Sequence, residues 1–166
     1  MFPFLRDRTS KLIARINSEE VTPCDLFFGM RTIAQQDALY ALGRTVKNQD
    51  GACSLKPLGN IVTNARGGYS FHNYGLAADI VFRPGGRWSW DYKKYPYARL
   101  GEVGQSLGMT WGGSPEFTKK LGQPDPAHFQ ITGGISINRA RSLFEKGGLE
   151  AIWSVVLKIV DTSGGY

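Results

Sequence analysis

Asp79 stands in the middle of the apolar run Leu76–Phe82 (LAADIVF), and no other position constrains the fold as much. The run has the length and composition of a buried strand and is stopped by Gly85-Gly86. A carboxylate inside such a strand is costly unless its charge is compensated. Two solutions are open, an arginine from elsewhere in the chain or a metal ion. The 166 residues include only two histidines, His72 and His128, and two cysteines, Cys24 and Cys53. Two thiols make neither a disulfide scaffold nor a four-thiolate zinc site. Any metal chemistry must therefore run on carboxylates and those two imidazoles.

Both histidines fall beside an acid. His72 ends a long loop just ahead of the Asp79 strand, and Gly75, Ala77 and Ala78 are small enough to let the backbone turn back on one ion. His128 opens the strand candidate His128–Ile131 (HFQI), where alternation puts His128 and Gln130 on one face and Phe129 and Ile131 on the other. Asp125 precedes it in a Pro-flanked loop. Two His and one Asp make a catalytic-type zinc site, three protein ligands with a fourth position open to water. Zinc brings the pKa of such a water to about 7. A carboxylate beside it can take the proton and return it to a leaving amine, and Asp125 is the candidate, with Glu116 as its competitor. Taken singly, Asp79 reads equally well as the partner of an Arg, each His as a satisfied polar residue, and Asp125 as an Asp-Pro turn. Their joint spacing favours the metal.

The rest of the chain supplies helices at both ends. Residues 3–18 read as a helix with Leu5, Leu12, Ile13 and Ile16 on one side, and Leu26–Met30 (LFFGM) as a short buried strand. Thr32 and Gln35 form a capping-box pattern for a helix running to about Gly43. From Thr45 to Gly68 a long loop is expected, of the kind that often borders a site. Tyr97–Leu107 reads as a helix, Met109–Trp111 as a strand, and Ser114–Pro126 as loop. Asn138 caps a further helix to Glu145, and Gly147-Gly148 breaks it. Beyond the break, Leu149, Ile152, Trp153, Val156, Leu157 and Val160 keep helical spacing and predict a core helix, in preference to a membrane contact through Lys158.

The expected fold is α+β, a small, mainly antiparallel sheet bearing the zinc site, packed by N- and C-terminal helices. One domain spans 1–166, with core motifs over about 26–132 and a helical segment over about 138–160. No run approaches the roughly 20 apolar residues of a membrane span, and no nucleic-acid motif is present. The net charge of +6 points to an anionic partner such as a wall polymer.

The pattern S-x-H-x-x-G-x-A-x-D from Ser70 to Asp79, followed by D-x-x-H-F from Asp125 to Phe129, resembles the zinc peptidases that cut bacterial peptidoglycan peptides. These are the VanY-type D,D-carboxypeptidases and the L-alanyl-D-glutamate endopeptidases, many of them phage endolysins. Gly29-Met30-Arg31-Thr32 with Gln35 and Trp111-Gly112-Gly113 extend the resemblance. It implies a hedgehog/D-Ala-D-Ala metallopeptidase-like fold, one zinc ion on His72, Asp79 and His128, and Asp125 as acid/base. It further implies Arg31 facing the substrate oxyanion or carboxylate, the plainer reading being a structural salt bridge, and Ser70 and Gln35 as substrate-positioning residues. The sequence departs where Ser114-Pro115 replaces the family's frequent Asp-Trp, and where Gln130 replaces a common Glu.

The expected activity is L-alanyl-D-glutamate endopeptidase of the endolysin type. The expected partner is peptidoglycan, with no nucleic acid and no membrane insertion, and the chain is expected to be a monomer held in the host cytoplasm until release, because no signal segment is seen. A D,D- or L,D-carboxypeptidase is the alternative, and a non-catalytic zinc module a second. Cys24 and Cys53 could pair or stay as buried thiols, the free-thiol reading being preferred.

Overall fold

The computed structural model describes residues 1–44 and 60–162. Pro3 starts helix α1 (Pro3–Glu19), where a missing N–H costs nothing. Leu5, Leu12 and Ile16 form its buried stripe as expected, and Thr9 completes it. Asn17 then latches the helix end to strand β1 (Cys24–Phe28), its side-chain amide bonding both the Cys24 carbonyl (3.0 Å) and the Cys24 N–H (2.8 Å). Helix α2 (Ile33–Ala41) begins in the expected capping box, with Thr32 and Gln35 exchanging hydrogen bonds.

A short 3-10 helix (Phe71–Tyr74) leads into strand β2 (Ala77–Phe82). Helix α3 (Tyr97–Ser106), strand β3 (Thr110–Trp111), helix α4 (Pro115–Leu121), strand β4 (His128–Gln130) and helix α5 (Ile137–Thr162) follow. The sheet order is β1-β2-β4-β3 and every neighbouring pair is antiparallel. The α+β expectation is therefore met.

Register sorts the sheet into two faces, because paired residues share a face. Leu26 pairs with Ile80, Ala78 with Phe129, and Phe129 with Trp111; these point into the core against α1 and α3. Asp79 pairs with both Phe28 and His128, on the other face. The step from Leu26 to Phe28 on β1 matches a single step on β2, so the ladder carries a bulge at Phe27. That bulge turns Phe28 to the Asp79 side, where simple alternation would have set it beside Leu26.

Three local expectations are corrected. The stretch read as loop over Ser114–Pro126 contains α4, capped by Ser114 Oγ on the Phe117 N–H (3.2 Å), with Pro115 in the first turn and Gly122 ending it. Ser136 rather than Asn138 starts the last helix, its Oγ accepting from the Arg139 N–H. Strand β1 begins at Cys24, ahead of the expected Leu26. The predicted break in α5 is present, with non-helical backbone at Gly147 and Gly148. Past it Ile152 and Val156 are fully buried and Leu149, Trp153 and Val160 pack on the core, so this is a core helix, although Leu157, expected on the same stripe, is exposed. Among the described residues no helix is long and apolar enough to cross a membrane. Of the expected loop over 45–68, residues 45–59 lie outside the described residues, as does Cys53. Cys24 is a free, buried thiol whose pKa burial pushes up to about 12, which leaves it inert near neutral pH.

Candidate metal centre

Three backbone devices bring the candidate ligands together. The β2–β4 ladder sets Asp79 opposite His128. The 3-10 helix delivers His72: Ser70 Oγ accepts from the His72 N–H (3.3 Å), and Gly75 turns the chain into β2 at φ 67°, a conformation that favours glycine. A Cβ at Gly75 would also press on the backbone of Met1 and Phe2 at 3.1 Å. The Arg31 N–H then bonds the His72 carbonyl (3.0 Å), tying the start of α2 to the same turn.

The outcome is a triangle of ligand atoms. His72 Nε2 lies 3.2 Å from Asp79 Oδ1, His128 Nδ1 lies 3.3 Å from the same oxygen, and the two ring nitrogens are 3.3 Å apart. Bonds of about 2.0–2.1 Å at tetrahedral angles put neighbouring ligand atoms about 3.3–3.4 Å apart. The triangle therefore has the size of one face of a tetrahedral site, and its N, N, O donor set suits a borderline transition metal. The far ring nitrogens are also engaged. His72 Nδ1 is 2.7 Å from the Gly29 carbonyl, and His128 Nε2 is 3.1 Å from Gln130 Oε1. Each acceptor holds a proton on the outer nitrogen and leaves the inner one free to ligate. His72 is almost wholly buried, whereas His128 and Asp79 keep a small exposed area.

Asp79 uses both carboxylate oxygens. Oδ1 belongs to the triangle, and Oδ2 is paired with Arg31 Nη2. Of the two solutions that the sequence leaves open, the arginine takes one oxygen of the carboxylate and leaves the other in a triangle that would suit a metal. Burial works to raise the Asp79 pKa, but His72 and His128 beside it outweigh that and hold it well below the usual carboxylate range. Burial works to lower His128, yet its hydrogen bond to Asp79 and the negative charges of Asp79 and Asp125 raise it above the ordinary value. Arg31 stacks on Phe28, its guanidinium 4.3 Å from the ring centroid, and reaches the buried Gln36 Oε1 at 3.4 Å. Gln36 in turn bonds Thr63 Oγ1 (3.2 Å) and the Ala65 carbonyl (2.9 Å), which fixes the chain ahead of the 3-10 helix.

These contacts place the remaining predicted residues. Arg31 meets the centre directly, through Asp79. Gln35 is spent on the α2 cap, and its neighbour Gln36 is the glutamine that touches Arg31. The sequence signal for Gln36 is helical spacing, since it lies on the inward side of α2 and is the buried residue of that helix. Ser70 caps the turn that carries His72.

Asp125 sits on the approach to His128, its carbonyl accepting from the His128 N–H (3.0 Å) and its N–H donating to the Gly112 carbonyl (2.9 Å). A Cβ at Gly112 would run into the Asp125 carbonyl and the His128 side chain, so the loop closes only over glycine. Trp111 Nε1 bonds the Pro126 carbonyl (2.9 Å) and anchors the same loop from the core side. The Asp125 side chain is exposed, yet the protein around its carboxyl raises its pKa. It feels the charges of His128, Asp79, His72 and Arg31, so it lies within the electrostatic field of the centre. Glu116 is exposed on α4, whose Phe117 ring packs 5.5 Å from the His128 ring.

Residues 63–131 match the family model described as D-alanyl-D-alanine carboxypeptidase. Over 93 residues the chain is 40% identical to the peptidoglycan L-alanyl-D-glutamate endopeptidase CwlK of Bacillus subtilis, which covers 51% of this chain and 49% of that protein. The chain thus spans about half the length of the curated relative it matches. It is also similar to the solved L-Ala D-Glu endopeptidase ChiX of Serratia marcescens, at 21% identity and TM-score 0.41, covering 78% of this chain and 87% of the other. A second solved structure is the vancomycin-resistance D,D-pentapeptidase VanY of a VanB-type cassette, in complex with Zn(II). That likeness has 18% identity and TM-score 0.48 and covers 93% of this chain and 80% of the other.

Proposed function

We propose that this chain, which carries a domain of the D-alanyl-D-alanine carboxypeptidase family, is a zinc peptidase that hydrolyses peptidoglycan stem peptides, with L-Ala–D-Glu as the bond it cuts. The observation that carries the reading is the triangle of His72 Nε2, Asp79 Oδ1 and His128 Nδ1, sized for a zinc ion. When bound, zinc supplies a Lewis acid that brings water to a pKa of about 7 and polarises a peptide carbonyl.

The chain's own residues do the rest. Gly29 and Gln130 hold the imidazole tautomers, and Arg31 turns Asp79 so that one oxygen faces the ion. The Asp125 carboxylate takes the proton of the attacking water and passes it to the departing amine of D-Glu. Its raised pKa suits a group that must hold that proton between the two transfers. Arg31, paired with Asp79 Oδ2 and keeping a small exposed area, brings a positive charge to the centre for a substrate oxygen, as an oxyanion or carboxylate contact. Ser70 and Gln35 serve the substrate only indirectly, through the turns they cap.

The identity to an L-alanyl-D-glutamate endopeptidase favours endo-cleavage. The family model's description favours a second reading, removal of a terminal D-Ala. Metal analysis coupled to digestion of purified peptidoglycan separates them: new N-terminal D-Glu is the expected product, and release of D-Ala alone overturns the endopeptidase reading. A lytic role as a phage endolysin, acting on the wall after release from the host cytoplasm, is the finer proposal, supported by the +6 charge that suits an anionic wall.

A further inference from the structure

Half-buried and exposed aromatic rings run outward from the centre as one connected group. Trp90 is half exposed and meets Phe27 edge to face, with centroids 4.8 Å apart at 89°. Trp88 meets the same ring at 5.2 Å and 75°. Phe27 touches Phe28 at 5.4 Å, Phe28 carries the Arg31 guanidinium, and Arg31 pairs with Asp79. Contacts therefore run without a gap from the metal triangle to Trp90. The bulge in β1 creates this continuity, because it brings Phe28 to the face of the centre with Phe27 against it.

The two indoles differ in cover. Arg83 lies over the Trp88 ring at 4.6 Å and is itself paired with Asp25 at 3.3 Å. Among the described residues, no cation lies over the half-exposed Trp90 and its indole N–H makes no hydrogen bond. Trp90 thus offers a flat apolar face with a polar donor at its rim. Aromatic faces carry partial negative charge and match the C–H-lined face of a pyranose, while the N–H can meet a hydroxyl or acetamido oxygen. Exposed aromatic area continuous with a polar site is the usual make-up of a ligand cleft.

We infer that Trp90, Phe27 and Trp88 form a saccharide subsite, a shelf for the amino-sugar ring that bears the stem peptide. The inference rests on the peptidase reading and adds the sugar to its substrate. In peptidoglycan the muramyl sugar is joined through its lactyl group directly to L-Ala. A bond cut between L-Ala and D-Glu therefore lies one residue, about 3.5 Å of extended chain, from that linkage.

The test titrates the disaccharide GlcNAc–MurNAc, without peptide, into the metal-free full chain while the indole N–H signals are followed by NMR. The Trp90 signal, assigned by its loss in Trp90→Phe, is expected to shift saturably, and Trp90→Ala is expected to weaken binding about tenfold, with Trp90→Phe weakening it less. This readout needs neither zinc nor hydrolysis, so it succeeds or fails apart from the peptidase reading. In the active protein, Trp90→Ala is expected to cut the preference for a disaccharide-bearing over a sugar-free stem peptide by the same factor. A flat titration at Trp90 overturns the inference. So does a shift produced equally by the sugar-free peptide, or a loss of activity that is equal on both substrates.

Discussion

The two faces of the sheet achieve precision by different means. On the core face, Phe129 and Trp111 pack against α3 at Gly104 and Gly101, where an added Cβ would run into the rings. Phe82 stacks edge-on to Tyr97 of the same helix at 5.0 Å. Position there is set by volume. On the opposite face Asp79, His128 and Arg31 are set by hydrogen bonds, with each far ring nitrogen held by an acceptor and each carboxylate oxygen assigned. Packing fixes where a ring lies but not which of its nitrogens bears a proton. A site that must present two bare nitrogens and one oxygen to an ion needs the second kind of control. The two kinds meet at the loop over 125–126, tied to the core by Trp111 and to the centre by His128.

The comparison can be broken in several ways. His72→Ala is expected to have the largest effect: zinc content after dialysis falls to background and hydrolysis with it, while the core-face packing persists. Retention of full zinc content would remove His72 from the ligand set. Asp125→Ala is expected to lower kcat by about 10²–10⁴ with zinc content unchanged. Surviving hydrolysis would move the proton transfer elsewhere, and inactivity with zinc loss would make Asp125 a structural part of the centre.

Gly104→Ala sharpens the contrast from the other face. It is expected to cost about 1–3 kcal/mol in denaturant unfolding while zinc affinity stays within a small factor of the parent. A matching fall in zinc affinity would show that the faces are not separable. The smallest effect is pH dependence. In the metal-free protein the raised His128 contributes stability that is fully present below its ordinary 6.5 and is lost as pH rises through its folded value. Zinc requires that proton to leave, so the gain in Tm on adding zinc should grow as pH rises above the ordinary 6.5. A gain that does not grow there would show that His128 is already neutral in the folded chain, its pKa not raised.

Much of the site was legible because its chemistry is local in sequence. The acid inside LAADIVF, the loop His72 and the strand His128 are each anomalous beside their neighbours, and the structure brings all three together. The capping box and the Gly147-Gly148 break were legible for the same reason. What could not be read depends on pairing over distance or on a single extra residue. Arg31 reaches Asp79 across 48 positions of chain, which no periodicity reports. The bulge at Phe27 reverses the face of Phe28, and alternation alone assigns the opposite one. Helix α4 escaped because it is short and flanked by Pro and Gly, although Ser114, Pro115 and Gly122 are the ordinary start and stop residues of a helix. Gln35 and Gln36 are adjacent, and the rotation of about 100° per helical residue decides which faces inward.

The divided carboxylate of Asp79 bears on the order of events in the life of the molecule. Arg31 holds one oxygen of that carboxylate without help from any ion, and the two imidazoles flank the other. The chain therefore faces no uncompensated buried charge while it folds, unlike small domains that collapse only around their metal. On the zinc-peptidase reading, folding can come first and loading afterwards, so that the supply of metal would decide when a finished protein becomes a working one.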